Sequence, residues 1–218
     1  MTTRFLPQAA LTVALATLGC AGQDDVSVQT QFVCAPAEDP MDCAPDGECE
    51  RFLTGQAFAY TTVGGFDNSL SFYFQIANQR PPNEDESAGS LNSADALLTE
   101  YDLSFIWEGT VIGRGTVPIV NATIPAEGTI TPFATVIPAS VMNFIRTNWP
   151  SADPAILGEV NIRFKGHFRG GGEFETGDFL LPVQIINADY SIPTCTAPDV
   201  LVYCPNLGAT GTTDCVTP

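Results

Sequence analysis

Residues 160–169 read VNIRFKGHFR, and the reading of this decapeptide decides the fold. Val160, Ile162, Phe164, Gly166 and Phe168 fall on one side of an extended chain; Asn161, Arg163, Lys165, His167 and Arg169 fall on the other. Successive side chains of a strand point to opposite faces, so the run is a strand with one buried and one wet face. Gly170, Gly171 and Gly172 supply the turn that ends it. A strand of this kind must bury its apolar face against a second layer.

Residues on either side repeat the pattern. In residues 70–76, Leu70, Phe72, Phe74 and Ile76 alternate with Ser71, Tyr73 and Gln75. In residues 97–107, Tyr101, Leu103, Phe105 and Trp107 oppose Asp102 and Ser104, and Glu108-Gly109 begins a turn into a returning strand over 111–120. Residues 129–137 and 179–186 are also extended, and Pro182 predicts an edge or bulged strand for the latter. Val141, Phe144, Ile145 and Trp149 recur at helical spacing after Ser140, which predicts a short helix with Ser140 as N-cap, ended by Pro150. About seven strands with short turns predict an all-β fold, an antiparallel β-sandwich of immunoglobulin-like architecture with one short helix. A closed barrel is the alternative.

The ends of the chain read differently. Residues 1–19 have one cation, Arg4, and an apolar run too short to span a bilayer, which is the pattern of a signal peptide. Ala14-Leu15-Ala16 offers an ordinary cleavage site, and Thr17-Leu18-Gly19-Cys20 a lipobox-like one in which Cys20 is lipidated. Cysteine parity favours the second. The chain has 7 Cys; with Cys20 acylated, Cys34, Cys43, Cys49, Cys195, Cys204 and Cys215 remain for disulfides. If all six pair, an odd number of bridges joins the early trio to the late one. Such a bridge closes a loop of roughly 150 residues or more, for which chain entropy gives about 5 kcal/mol. The organisation expected is a signal peptide (1–19), a lipid-anchored tether (20–33), a Cys-rich acidic segment (34–50), the sandwich (51–190) and a Cys-rich tail packed on it (191–218).

Composition narrows function. The formal net charge of −17 argues against nucleic acid, whose phosphates need a basic surface. His167 is the single imidazole and sits on the wet face of its strand, so a serine-type triad is not expected, and no catalytic residue or cofactor is assigned. Cys43 and Cys49 could hold zinc, but export favours disulfides. Asp39, Asp42, Asp46, Glu48 and Glu50 surround Gly47; Asp42, Asp46 and Glu48 are candidate calcium ligands, though without EF-hand spacing. Arg163, Lys165 and Arg169 form a basic strand face that could contact an anionic partner, or could simply discourage edge pairing.

The lipobox-like signal, β-rich middle, Leu181-Pro182-Val183 strand and Cys-rich acidic tail resemble uncharacterised exported lipoproteins of myxobacteria and related bacteria. That family often runs on to a Cys soon after the Pro-Val pair, where this chain has Ile185-Ile186 and its first tail cysteine is Cys195. Residues 58–186 also resemble the type 2 late-embryogenesis-abundant sandwich, in which a segment like residues 101–115 precedes a paired strand and a late Gly-rich turn. Neither resemblance supplies catalytic residues. The expectation is a non-catalytic binding or structural protein of the bacterial cell envelope. It would be held at the outer membrane, which Ala21 after Cys20 favours, by its N-terminal lipid, with a protein or glycan partner. Secretion or a periplasmic location is the alternative to anchoring. The competing functions are a carboxylate-dependent extracellular hydrolase and a desiccation or stress protectant.

Overall fold

The computed structural model describes residues 27–34, 49, 57–63, 69–84, 92–150, 155–190, 200–202 and 214–216. The strands are β1 (Val28–Cys34), β2 (Ala57–Val63), β3 (Leu70–Asn78), β4 (Ala96–Trp107), β5 (Thr110–Ile124), β6 (Thr129–Ile130), β7 (Phe133–Ile137), β8 (Ala155–Phe168), β9 (Glu173–Glu175), β10 (Phe179–Tyr190), β11 (Val200–Val202) and β12 (Asp214–Val216), with one helix, α1 (Ala139–Thr147). The smaller sheet runs β1-β3-β6, with β7 also on β3; the larger runs β2-β10-β8-β4-β5, with β9 on β8; β11 and β12 pair with each other. The two sheets face each other as an all-β sandwich.

The inward rows are those the alternation predicts. On β8, Val160, Ile162, Phe164 and Phe168 are buried and His167 is exposed. On β3, Leu70, Phe72, Phe74 and Ile76 are buried. Phe74 meets Phe164 of the opposite sheet edge-on at 5.5 Å between ring centroids, and Phe179 at 5.9 Å. On β4 the register slips between Leu98 and Glu100. This bulge at Thr99 moves the buried set from Ala96 and Leu98 to Tyr101, Leu103 and Phe105. The Tyr101 hydroxyl crosses the sandwich, accepting the Thr135 N–H at 3.0 Å and donating to the Thr135 carbonyl at 3.2 Å. Burial raises the Tyr101 pKa, so the phenol stays neutral and keeps its proton for that bond.

One pole is polar but satisfied. Asn78 is buried, and its amide donates to the Ala94 carbonyl at 2.9 Å and to the Ile124 carbonyl at 3.4 Å. Asp95 accepts the Ala126 N–H at 3.0 Å and the Asn92 N–H at 3.2 Å. These bonds tie the ends of β3, β4 and β5, where unpaired buried polar groups would be costly.

Several expectations need correction. Residues 28–34 form β1, paired antiparallel to β3, so the stretch read as a tether is already sheet from Val28 onward. The extended piece at 129–137 is two strands, parted at Thr131 and Pro132, where the Pro132 carbonyl still accepts the Phe74 N–H at 3.0 Å. Ser140 is not the N-cap. Pro138 takes that position, its carbonyl accepts from Val141 and Met142, and there is no side-chain cap bond. The helix buries Val141, Met142 and Ile145 and leaves Phe144 largely in solvent. β10 is not an edge strand: it lies antiparallel to β8 and parallel to β2, although its register with β2 does shift between Ile186 and Asp189. Pro182 is tolerated because pairing with β2 begins only at Val183, so at Pro182 the described pairing is one-sided. The tail contains the β11–β12 pair, with Leu201 opposite Cys215.

Close approach requires glycine at several positions, Gly166 and Gly113 among them. A Cβ at Gly166 would strike the Leu97 carbonyl oxygen and come within 2.7 Å of the Phe174 ring; one at Gly113 would strike Val141 of the helix. At the turn after β8, Gly171 and Gly172 have φ of 97° and 93°, a region L-residues avoid.

Cys34 and Cys49 form a disulfide. Cys20, Cys43, Cys195 and Cys204 lie outside the described residues, as does the side chain of Cys215. With Cys34 and Cys49 joined, full pairing of the other four leaves Cys43 to a tail cysteine. Non-reducing peptide mapping should find Cys34–Cys49 and one bridge from Cys43 to Cys195, Cys204 or Cys215. A free thiol at Cys43 contradicts this.

The register of β8 makes a second prediction. Phe164→Ala empties a fully buried site and should cost about 3–5 kcal/mol in denaturant melts, whereas His167→Ala on the exposed face should change stability by within about 0.5 kcal/mol.

Candidate functional site

Because β8 and β4 turn odd and even positions to opposite sides, the outer face of the larger sheet is fixed by the same register that fills the core. Cα pairing sets Asp102 opposite Thr116 on β5 and Arg163 on β8, and Ser104 opposite Arg114 and Asn161. Beside them runs a groove of about 480 Å³, lined by Asp102, Ser104, Arg114, Asn161, Arg163 and Asp178 among others. A second hollow, of about 620 Å³, lies along β9; there the Arg80 guanidinium stands 4.1 Å above the Phe168 ring.

A ladder of opposite charges runs across this face; Asp102, Arg163 and Asp178 line the groove, and Glu175 lines the second hollow. Arg163 donates through Nε and Nη2 to Asp178 Oδ1 at 2.8 and 2.6 Å, and through Nη1 to Glu175 at 3.1 Å. Lys165 meets Asp102 at 2.6 Å and Glu175 at 3.6 Å. The Thr116 hydroxyl donates to Asp102 at 2.6 Å. β9 contributes Glu175 to this ladder. In the β8–β9 register the Cα of Lys165 lies opposite Glu175 and that of His167 opposite Glu173, and the central residue of β9, Phe174, is buried.

Protonation follows geometry. The Lys165 ammonium, and next the Thr116 hydroxyl, hold the Asp102 carboxyl below the ordinary carboxylate range. The Asp102 hydrogen bond in turn raises Lys165, and the bond to Asp178 is the first cause raising Arg163.

The basic residues expected to contact an anion are therefore already engaged. Arg163 and Lys165 are neutralised by this chain's own carboxylates. Arg169 sits in the turn beyond β8, with its side chain 3.8 Å from Asp95 and its N–H on the Asp95 carbonyl at 2.9 Å. The structure brings Arg163 and Lys165 together and sets Arg169 apart. Arg114, absent from the sequence-based set, reaches the same face. The alternation of β5 is obscured by Gly113, Gly115 and Pro118, and only its pairing with β4 shows where Arg114 lies. The candidate calcium ligands Asp42, Asp46 and Glu48 lie outside the described residues, as do Asp39 and Glu50. No helix among the described residues is long and apolar enough to cross a membrane. Comparison of the chain with protein-family models and with curated proteins finds no match.

What this face does chemically is hold charge still. A general acid at neutral pH needs a raised carboxyl pKa, and Asp102 is displaced the other way. Ion pairs this exposed contribute little each, but the ladder fixes side-chain positions across β5, β4, β8 and β9.

Asp102 has a folded-state pKa below its unfolded one. Its contribution is therefore present above the ordinary carboxyl range and is lost as pH falls through the folded value. Asp102→Asn should lower the denaturation midpoint slightly at pH 7, and the gap to wild type should narrow in melts taken progressively below the ordinary carboxyl range. A gap that persists in acid rules out the ionised-carboxylate account.

Proposed function

We propose that the protein is a non-catalytic binding protein of the bacterial cell envelope, exported and held by a lipid on Cys20. The observation that carries the binding reading is the state of the carboxylates on the outer face. Asp102 is kept ionised by Lys165 and Thr116, and Asp178 and Glu175 are committed to Arg163. Rigid, paired side chains on strands make a precise recognition surface, whereas a carboxylate-dependent hydrolase needs one carboxyl free to carry a proton. The sandwich supports the reading by presenting the groove on a sheet rather than on mobile loops.

Anchoring is supported by the Gly19-Cys20 pair and by the parity of the cysteines, and the Cys34–Cys49 bridge is in keeping with an oxidising compartment. The outer membrane is the membrane favoured by Ala21 after the lipidated cysteine.

Fractionation tests the anchor. Wild type should sediment with outer membranes, and Cys20→Ala should move to the soluble fraction after export. Membrane retention of that variant at the wild-type level refutes lipidation. Turnover of any extracellular ester or glycoside that disappears in Asp178→Asn would replace the binding reading with the hydrolase.

A further inference from the structure

Two neighbouring rows of the outer face differ in their hydrogen bonding. In the row of Thr116, Asp102 and Arg163, every side chain is bonded to another. In the next row, Cα pairing aligns Arg114, Ser104 and Asn161 across β5, β4 and β8. Facing residues of antiparallel strands lie about 5 Å apart, so a guanidinium, a hydroxyl and a carboxamide stand in line over roughly 10 Å. Among the described residues, none of these three side chains has a hydrogen-bond or ion-pair partner. All three line the groove of about 480 Å³, and Asp178 lines it too. Asp178 spends Oδ1 on Arg163, which leaves Oδ2 as an acceptor.

The geometry points to this row as a binding site for a carboxylated polyol, the class to which the uronic acids belong. Among the described residues, Arg114 is the cation of the groove that no carboxylate compensates, and its planar fork matches a carboxylate with two parallel bonds. Ser104 and Asn161 donate to or accept from hydroxyl groups, and Asp178 Oδ2 accepts from them. One uncompensated cation suits one negative charge, and a polyanion is repelled by a chain of net charge −17. Val111 is the exposed apolar side chain in the lining, too little to hold an aromatic ligand. The volume suits one or two sugar rings. This assignment rests on the reading of the protein as a binding protein and is independent of its anchor.

Calorimetry on the full chain in mild detergent tests it, with glucuronate, glucose and inorganic phosphate as the probes. Glucuronate should bind saturably, with glucose and phosphate at least about tenfold weaker. Arg114→Gln should weaken glucuronate by about tenfold or more, and Asn161→Ala by about threefold or more, consistent with loss of a charged and a neutral hydrogen bond respectively. Arg146→Gln, a change on the exposed side of α1, should leave binding as it is. No saturable binding of glucuronate, equal binding of glucose, or full affinity in Arg114→Gln overturns the site. Failure there leaves the non-catalytic reading standing. Conversely, a glucuronide that is bound through Arg114 and then cleaved keeps the site and retires that reading.

Discussion

The contact on which the rest of the structure depends is the crossing of the sandwich by Phe74 against Phe164, locked beside it by the Tyr101 hydroxyl on Thr135. Tyr101 also packs against Phe164, with ring centroids 5.6 Å apart. One aromatic group thus joins β4 to β7 by hydrogen bonds and to β8 by ring packing. Because side chains alternate strictly along a strand, seating Phe164 and Tyr101 inward leaves no choice for their neighbours. Asp102, Arg163 and Lys165 must then face out, in the rows observed. The charge ladder and the groove are consequences of the core register, and a slip of one residue would bury the ladder.

The strands with a clean period were legible because burial on one face imposes it. The faces assigned to Val160, Ile162, Phe164 and Phe168, and to Tyr101, Leu103 and Phe105, are the faces observed. What was hidden had physical reasons. β1 is an edge strand whose register shifts between Thr30 and Phe32, and the polar run that results reads as linker. β9 has three residues, too few for any period, and its place is set by Phe174 and by the cations opposite it. The helix start was misread because Ser140 has a capping side chain, while Pro138 precedes it with the extended backbone that a cap position needs.

The site was half legible for a similar reason. Alternation showed that Arg163 and Lys165 face outward, but their partners come from β4, from β9 and from the residues just before β10, and pairing between distant strands has no signature in local sequence. A cation that looks free along the chain can be charge-compensated in space, as Arg163 is, and one that looks unremarkable can be uncompensated among the described residues, as Arg114 is. The polar pole around Asn78 and Asp95 was equally hidden, since neither residue differs in type from those of an ordinary loop.

The parallel pairing of β2 with β10 bears on how the chain can be completed in time. β10 lies between β2 and β8 and is the last strand of the larger sheet to leave the ribosome. Until it arrives, β2 has no seat in that sheet, although more than a hundred residues separate the two. Pairings so distant in sequence form late, because the intervening loop must be closed first. The β1–β3 pair and the β4–β5 hairpin can form from the N-terminal half alone, but β2 is seated in the larger sheet only once β10 has been made, so the edge that β2 closes is the last part of that sheet to be completed.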